Sequence, residues 1–299
     1  MRKLFFILFS ISVLSFYTCD DGDVITVDFE FDETFEACGT DGLVFYKTKD
    51  DPSESLSIII KELDSIGDLL VVGDDNTYEV DFSLSSTNVF NYRTYSNASL
   101  PTSGLFCSDV PLSSVKITKD IESTSGNVHI KTVLTEDDND GISAEIEGYT
   151  NDTDGDGILD YLDEDDDGDN VLTKNEKPDP DGDGDLSDAQ DTDGDGTPDY
   201  LDTDDDDDGV LTIDEENQSI DQNPANDISL DGIADYLNPA VATKVPATAY
   251  RQHTIYQTYV VSLTVSNFDL EIISLDVFDF GILDDGELST SRKETPDFN

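Results

Sequence analysis

The sequence predicts a mainly β protein: an antiparallel β-sandwich into which an irregular, acid-rich repeat array is inserted, with little helix. Three observations carry that expectation. Apolar and polar residues alternate in short runs on both sides of the middle, and no helical period of any length stands out. The middle third replaces that alternation with Asp and Gly at regular spacing.

In chain order, Ile25, Val27, Phe29 and Phe31 interleave with Thr26, Asp28 and Glu30, as on a strand with one buried face. Leu43–Tyr46 and Ile58–Ile60 are short apolar runs suited to buried strands. Tyr78, Val80, Phe82 and Leu84 interleave with Glu79, Asp81 and Ser83. Beyond the middle, Tyr259, Val261, Leu263 and Val265, then Leu275, Val277 and Phe280, continue the habit. The C-terminal flank, about 60 residues, is small for an independent domain without staples. The favoured organisation is therefore one sandwich built from 19–134 and 241–299, with 135–240 inserted, over two separate β units.

The 299 residues carry 70 Asp+Glu against 15 Lys+Arg, a formal net charge of -55. Such a field repels phosphates, which excludes nucleic acid as a direct partner and docking on an anionic membrane through protein charge. Hydrophobic content of 36% is low for a wholly globular chain, so only part of it should build a core. The sequence shows no phosphate-binding Gly loop, no His-Glu-x-x-His and no nucleophile elbow. His129 and His253 read as surface or strand histidines, and the acid pair Glu79 and Asp81 as a solvated strand face. No enzyme is expected.

Met1-Arg2-Lys3 followed by the apolar run Leu4–Tyr17 reads as a secretory leader over 1–18, too short to span a bilayer comfortably. Cys19-Asp20-Asp21 follows directly. This resembles the lipobox of bacterial lipoproteins, in the looser form of Bacteroidetes, with the acidic pair resembling their surface-export signal. The resemblance implies cleavage before Cys19, a lipid on its thiol and a place on the outer membrane, exposed at the cell surface. The alternative is an ordinary secreted protein. Setting Cys19 aside leaves Cys38 and Cys107, which in an exported protein suggests one disulfide. Closing a loop of that length would stabilise by about 4 kcal/mol. Two free buried thiols are the alternative.

More than half of the 70 acids lie between Glu136 and Asp235, with only Lys174 and Lys177 among them. A solvated acidic tail would have no register, but this stretch has one. Asp152–Glu176 and Asp191–Glu215 match at a constant offset of 39, including Asp-Tyr-Leu at 160–162 and 199–201 and Val-Leu-Thr at 171–173 and 210–212. A third, decayed copy runs from Asp227 to Asn238. This is an internal repeat.

Within each unit, acids fall at loop positions 1, 3 and 5, with Gly or Asn at 6 and an acid at 12. Alternate carboxylates on a tight loop can converge on one hard cation, which takes six to eight oxygens, and position 6 needs a positive φ. Six candidate loops follow. The first is Glu136, Asp138 and Asp140 with Glu147. The second is Asp152, Asp154 and Asp156 with Asp163. The third is Asp165, Asp167 and Asp169 with Glu176. The fourth, with Gln190 at position 12, is Asp179, Asp181 and Asp183. The fifth is Asp191, Asp193 and Asp195 with Asp202, and the sixth Asp204, Asp206 and Asp208 with Glu215. Asp160 and Asp199 are further candidate ligands. All-oxygen donor sets select calcium over zinc or copper.

The loops are EF-hand-like but not EF-hands, because 13 residues from Asp152 to Asp165 leave no room for an intervening helix. The pattern resembles the thrombospondin type 3 repeats and related Asp/Gly-rich arrays of exported bacterial proteins, over 136–238. That resemblance implies several calcium ions wrapped by nearly coil-like chain. Vertebrate versions add disulfides that this stretch lacks, so rigidity should depend more on metal. Tyr161, Leu162, Val171 and Leu172 and their counterparts are expected to pack between loops. Together these features predict a non-catalytic calcium-binding surface lipoprotein whose array is a spacer or scaffold. The competing class is an adhesin-like module, its sandwich recognising a glycan or protein while calcium holds the loops.

Overall fold

The computed structural model describes residues 30–39, 41–106, 108, 110, 112–230, 232–270 and 276–298. The leader, Cys19, Ile25, Val27, Phe29, Cys107, Asp231 and Leu275 lie outside them. The protein is mainly β, with ten strands among the described residues: β1 (Thr34–Cys38), β2 (Leu43–Asp50), β3 (Ser53–Ile60), β4 (Thr77–Ser83), β5 (Phe90–Tyr95), β6 (Ile117–Ser123), β7 (Asn127–Asp137), β8 (His253–Ser266), β9 (Val277–Leu283) and β10 (Ser289–Glu294).

The strands run in the order β4-β7-β8-β9-β1-β2-β3-β5-β6, with β10 also pairing β8. All pairings are antiparallel except the short parallel contact of β1 with β9, where Thr34 faces Ile282 and Phe35 faces Leu283. That contact joins the two halves of the sheet. It requires Gly281, whose φ is +101° and where a Cβ would lie 1.8 Å from the carbonyl oxygen of Glu33.

The halves face each other across one core. Phe90 of β5 meets Phe280 of β9 at 6.3 Å between ring centroids and Phe268 at 5.1 Å, although β5 and β9 are not neighbours in strand order. Phe45, Ile58 and Ile60 from one half and Ile130, Val261, Leu263 and Val265 from the other are fully buried with them. Apolar residues alternate along β8 as the sequence predicts. On β9 the phase differs: Val277 is 63% exposed, and Phe278 and Phe280 turn inward. A register shift at Leu263/Thr264 leaves Phe280 as an extra residue between Asp279 and Gly281, so the next buried position of β9 is Leu283.

The acid-rich segment leaves from the end of β7 and returns at the start of β8, and these two strands pair in register from Asn127↔Ser266 to Asp137↔Tyr256. The segment is thus an excursion between two adjacent strands. Its regular structure is one helical turn at Ala144–Glu147 and single 3-10 turns. The Glu79 and Asp81 carboxylates of β4 pair across to Lys131 (2.6 Å) and His129 (3.0 Å) of β7. Cys38 is disulfide-bonded. Phe280→Ala should lower the unfolding free energy by about 3–5 kcal/mol, read from chemical denaturation; a loss under 1 kcal/mol would show that the two halves do not share this core.

Candidate metal centres

Each loop is shaped by its own carboxylates. In the second, Asp154 Oδ1 accepts from the Asp156 amide (3.0 Å) and Asp156 Oδ1 from the Ile158 amide (2.6 Å). The third and sixth repeat this: Asp167 to Asp169 and Asp169 to Val171, then Asp206 to Asp208 and Asp208 to Val210. Position 6 is left-handed in all six loops, at Gly141, Gly157, Asn170, Gly184, Gly196 and Gly209. An aspartate that spends one oxygen on a backbone amide keeps the other for the loop interior.

Those second oxygens converge. Asp167, Asp169, Glu176 and Asp205 each place a carboxylate oxygen within 4.8 Å of the others, and so do Asp138, Asp140 and Glu147. All seven side chains are buried. Among the described residues, Oδ2 of Asp138, Asp140, Asp167 and Asp169 has no hydrogen-bond partner, nor does either oxygen of Glu147, Glu176 or Asp205. The sixth loop has the same signature: Asp204 Oδ1, Asp206 Oδ2, Asp208 Oδ2 and both Glu215 oxygens are buried and unpartnered. Asp152, Asp154 and Asp156, Asp179, Asp181 and Asp183, and Asp191, Asp193 and Asp195 also converge, in more open positions. Buried, unpartnered, convergent oxygens fit a hard metal cation, which would replace the hydration each has lost.

The electrostatics agree. Burial and then neighbouring carboxylates push Glu147 up to about 8 and Glu215 up to about 9. Burial and the charges of Asp140 and Glu147 raise Asp166 to about 11. Asp138, Asp165, Asp167, Glu176 and Asp205 are all driven up by burial and the adjoining carboxylates.

Several predicted ligands have other partners. Glu136 lies in β7, where Oε1 accepts from Arg292 Nε (3.1 Å) and Gln257 Nε2 (3.0 Å). Asp160 spends both oxygens on the amide and hydroxyl of Thr153, Asp199 does the same with Thr192, and Asp235 with Ser229. That pinning explains the Asp-Tyr-Leu register: each is a 3-10 turn tied back to the start of its loop. Asp165 accepts from the amides of Asp169 and Asn170. Asp163 and Asp202 accept from the Asp165 and Asp204 amides at the next loop. Val171, Tyr200, Val210 and Tyr236 are buried between loops, whereas Leu211 is 44% exposed.

Sequence reasoning missed the fastening of the array to the sandwich. The returning chain runs back along the loops. Lys244 pairs with Asp214 (2.7 Å), the Val245 amide bonds the Asp214 carbonyl, and the Ala247 amide bonds Asp214 Oδ1. Arg251 donates its amide to Asn170 Oδ1 and Nη1 to the Asn170 carbonyl, and Asn170 Nδ2 bonds the Ala249 carbonyl. His253 is a strand histidine, the first residue of β8, and not a surface one: it is 2% exposed, with Nδ1 2.6 Å from Asp163 Oδ1. Burial alone would lower its imidazole, but Asp163 and nearby carboxylates hold it above the ordinary value. Glu164 Oε2 accepts from the Thr254 amide. No spacing rule links residues this far apart.

Comparison with protein-family models, curated proteins and solved structures finds no match to this chain.

Without metal, the raised carboxyls bind protons more tightly folded than unfolded. Their stabilisation is full below the ordinary carboxyl range, near pH 4, and is lost as pH rises through the folded values, from about 6 at Asp154 and Asp206 to about 11 at Asp166. Chelator-treated protein should therefore be most ordered near pH 4 and lose order between about pH 6 and 9, followed by circular dichroism and small-angle scattering. Saturating divalent cation should remove that loss. A metal-free array equally ordered at pH 4 and pH 9 would contradict the shared burial of these acids.

Proposed function

We infer that the chain is a non-catalytic, calcium-binding surface lipoprotein of bacterial type, in which calcium folds the acidic array into a rigid scaffold. The observation that carries this is the pocket of Asp167, Asp169, Glu176 and Asp205: four buried carboxylates, oxygen donors only, with both oxygens of Glu176 and Asp205 unpartnered. Hard oxygen ligands favour calcium over zinc or copper, and so many protein carboxylates suit calcium better than magnesium, which keeps its waters. Without the ion, self-repulsion expands the loops; with it, binding energy becomes folding energy. The Met1–Asp21 pattern supports export and a lipid on Cys19.

The ends of the array meet at the Asp137–Tyr256 pair, so it adds a lobe beside the sheet and no length between two bodies. That favours a scaffold over a spacer. It also gives ground to the second reading, a glycan- or protein-binding sandwich whose edge calcium organises, because the array is tied to the first turn of β8 through His253 and Thr254.

Calcium titration of the mature chain should show several ions bound, with dissociation constants of about 10⁻⁴ to 10⁻³ M by calorimetry and compaction by scattering. No binding at millimolar calcium would sink the reading. Cys19→Ala should move the protein from the membrane fraction to the soluble one; retention in the membrane would remove the anchor.

A further inference from the structure

The cluster around Glu176 contains a residue that no loop rule supplies. Asp205 sits at position 2 of the sixth loop, yet its carboxylate joins Asp167, Asp169 and Glu176 of the third. It is 1% exposed and neither oxygen has a hydrogen-bond partner among the described residues. The residue 39 positions earlier, Asp166 of the third loop, is 3% exposed with Oδ1 unpartnered. It lines, with Glu147 of the first loop, one cavity of about 160 Å³. Both position-2 acids therefore face an earlier loop.

The backbone explains the direction. The Asp166 amide donates to Thr173 Oγ1 (3.1 Å) and the Asp205 amide to Thr212 Oγ1 (3.3 Å), both hydroxyls belonging to fully buried side chains of the residue's own loop. Each main chain is tied to its own loop, and each side chain is free to close another. The neighbours of each closing acid, Asp165 and Asp167 or Asp204 and Asp206, serve their own loop.

Resting on the metal-binding reading above, we propose that the three buried centres form a coupled series. The ion at Asp138, Asp140 and Glu147 is closed by Asp166, and the ion at Asp167, Asp169 and Glu176 is closed by Asp205. Binding in the sixth loop fixes the segment that carries Asp205, and binding in the third fixes the one that carries Asp166. The series ends at the sixth loop, because the next residue in this register, three beyond Asn238 of the third Asp-Tyr-Leu turn, is the buried Val241. The open clusters group Asp179, Asp181 and Asp183, and Asp191, Asp193 and Asp195, each from a single loop among the described residues, and fill independently.

Segment-resolved hydrogen exchange during calcium titration tests this on the full mature chain. In the wild type, 138–147 and 165–176 should gain protection together and before 179–183 and 191–195. Asp205→Asn should raise the calcium midpoint of 165–176 about tenfold and also raise that of 138–147, whose acids it does not join. Asp140→Asn should raise the midpoint of 165–176 in return, because coupling between sites is reciprocal. Asp193→Asn should move neither. An unchanged 138–147 midpoint in Asp205→Asn, with wild-type binding intact, overturns the series alone. Wild-type protein that gains no protection with calcium overturns the metal reading beneath it.

Discussion

Carboxylates buried beside one another are the constraint on which the rest of this structure depends. Two unit charges about 4 Å apart repel by about 4 kcal/mol at an effective dielectric of about 20, and the two fully buried clusters gather four and three carboxylates. The chain supplies few cations against them. Lys174, Lys244, Arg251 and His253 lie at the edges of the array, engaged with Glu164, Asp214, Asn170 and Asp163. None reaches the oxygens of Glu176 or Glu215. A fold that holds these groups together in water is stabilised by whatever neutralises them, a proton or a bound cation.

The β-sandwich solves a separate problem by ordinary means. Its core is made of Phe and β-branched residues from both flanks, and its strands bring the ends of the array to one register pair, Asp137 and Tyr256. Loop-closure entropy is thereby taken from the array before any ion binds. The chain from Lys244 to Thr254 then ties the lobe down, bonding Asp214 of the sixth loop, Asn170 of the third and Glu164 on its way into β8.

The repeated motifs divide the work. The Asp of Asp-Tyr-Leu and the Thr of Val-Leu-Thr fix backbone, the acids at positions 3 and 5 converge with Glu147 or Glu176 at position 12 of the first and third loops, and Asp205 at position 2 of the sixth reaches across to the third. Some of the acids read as ligands also have protein partners: Asp160 and Asp199 bond Thr153 and Thr192, Asp163 pairs with His253, and Glu136 pairs with Arg292. The same reading leaves out Asp205, which joins the cluster of Asp167, Asp169 and Glu176.

By itself the sequence determined what local geometry determines: the strand alternation at Tyr78–Phe82 and Tyr259–Val265, the 39-residue period, the left-handed position 6, and the convergence of acids two residues apart on one side of a loop. These follow from backbone periodicity and from which residues tolerate positive φ. Tertiary structure alone decided which loops share a centre, that His253 is buried against Asp163, that Val277 faces out, and that β1 joins the halves through Gly281. Those are contacts between residues tens or hundreds of positions apart, and their energy depends on desolvation, which no single stretch of sequence carries.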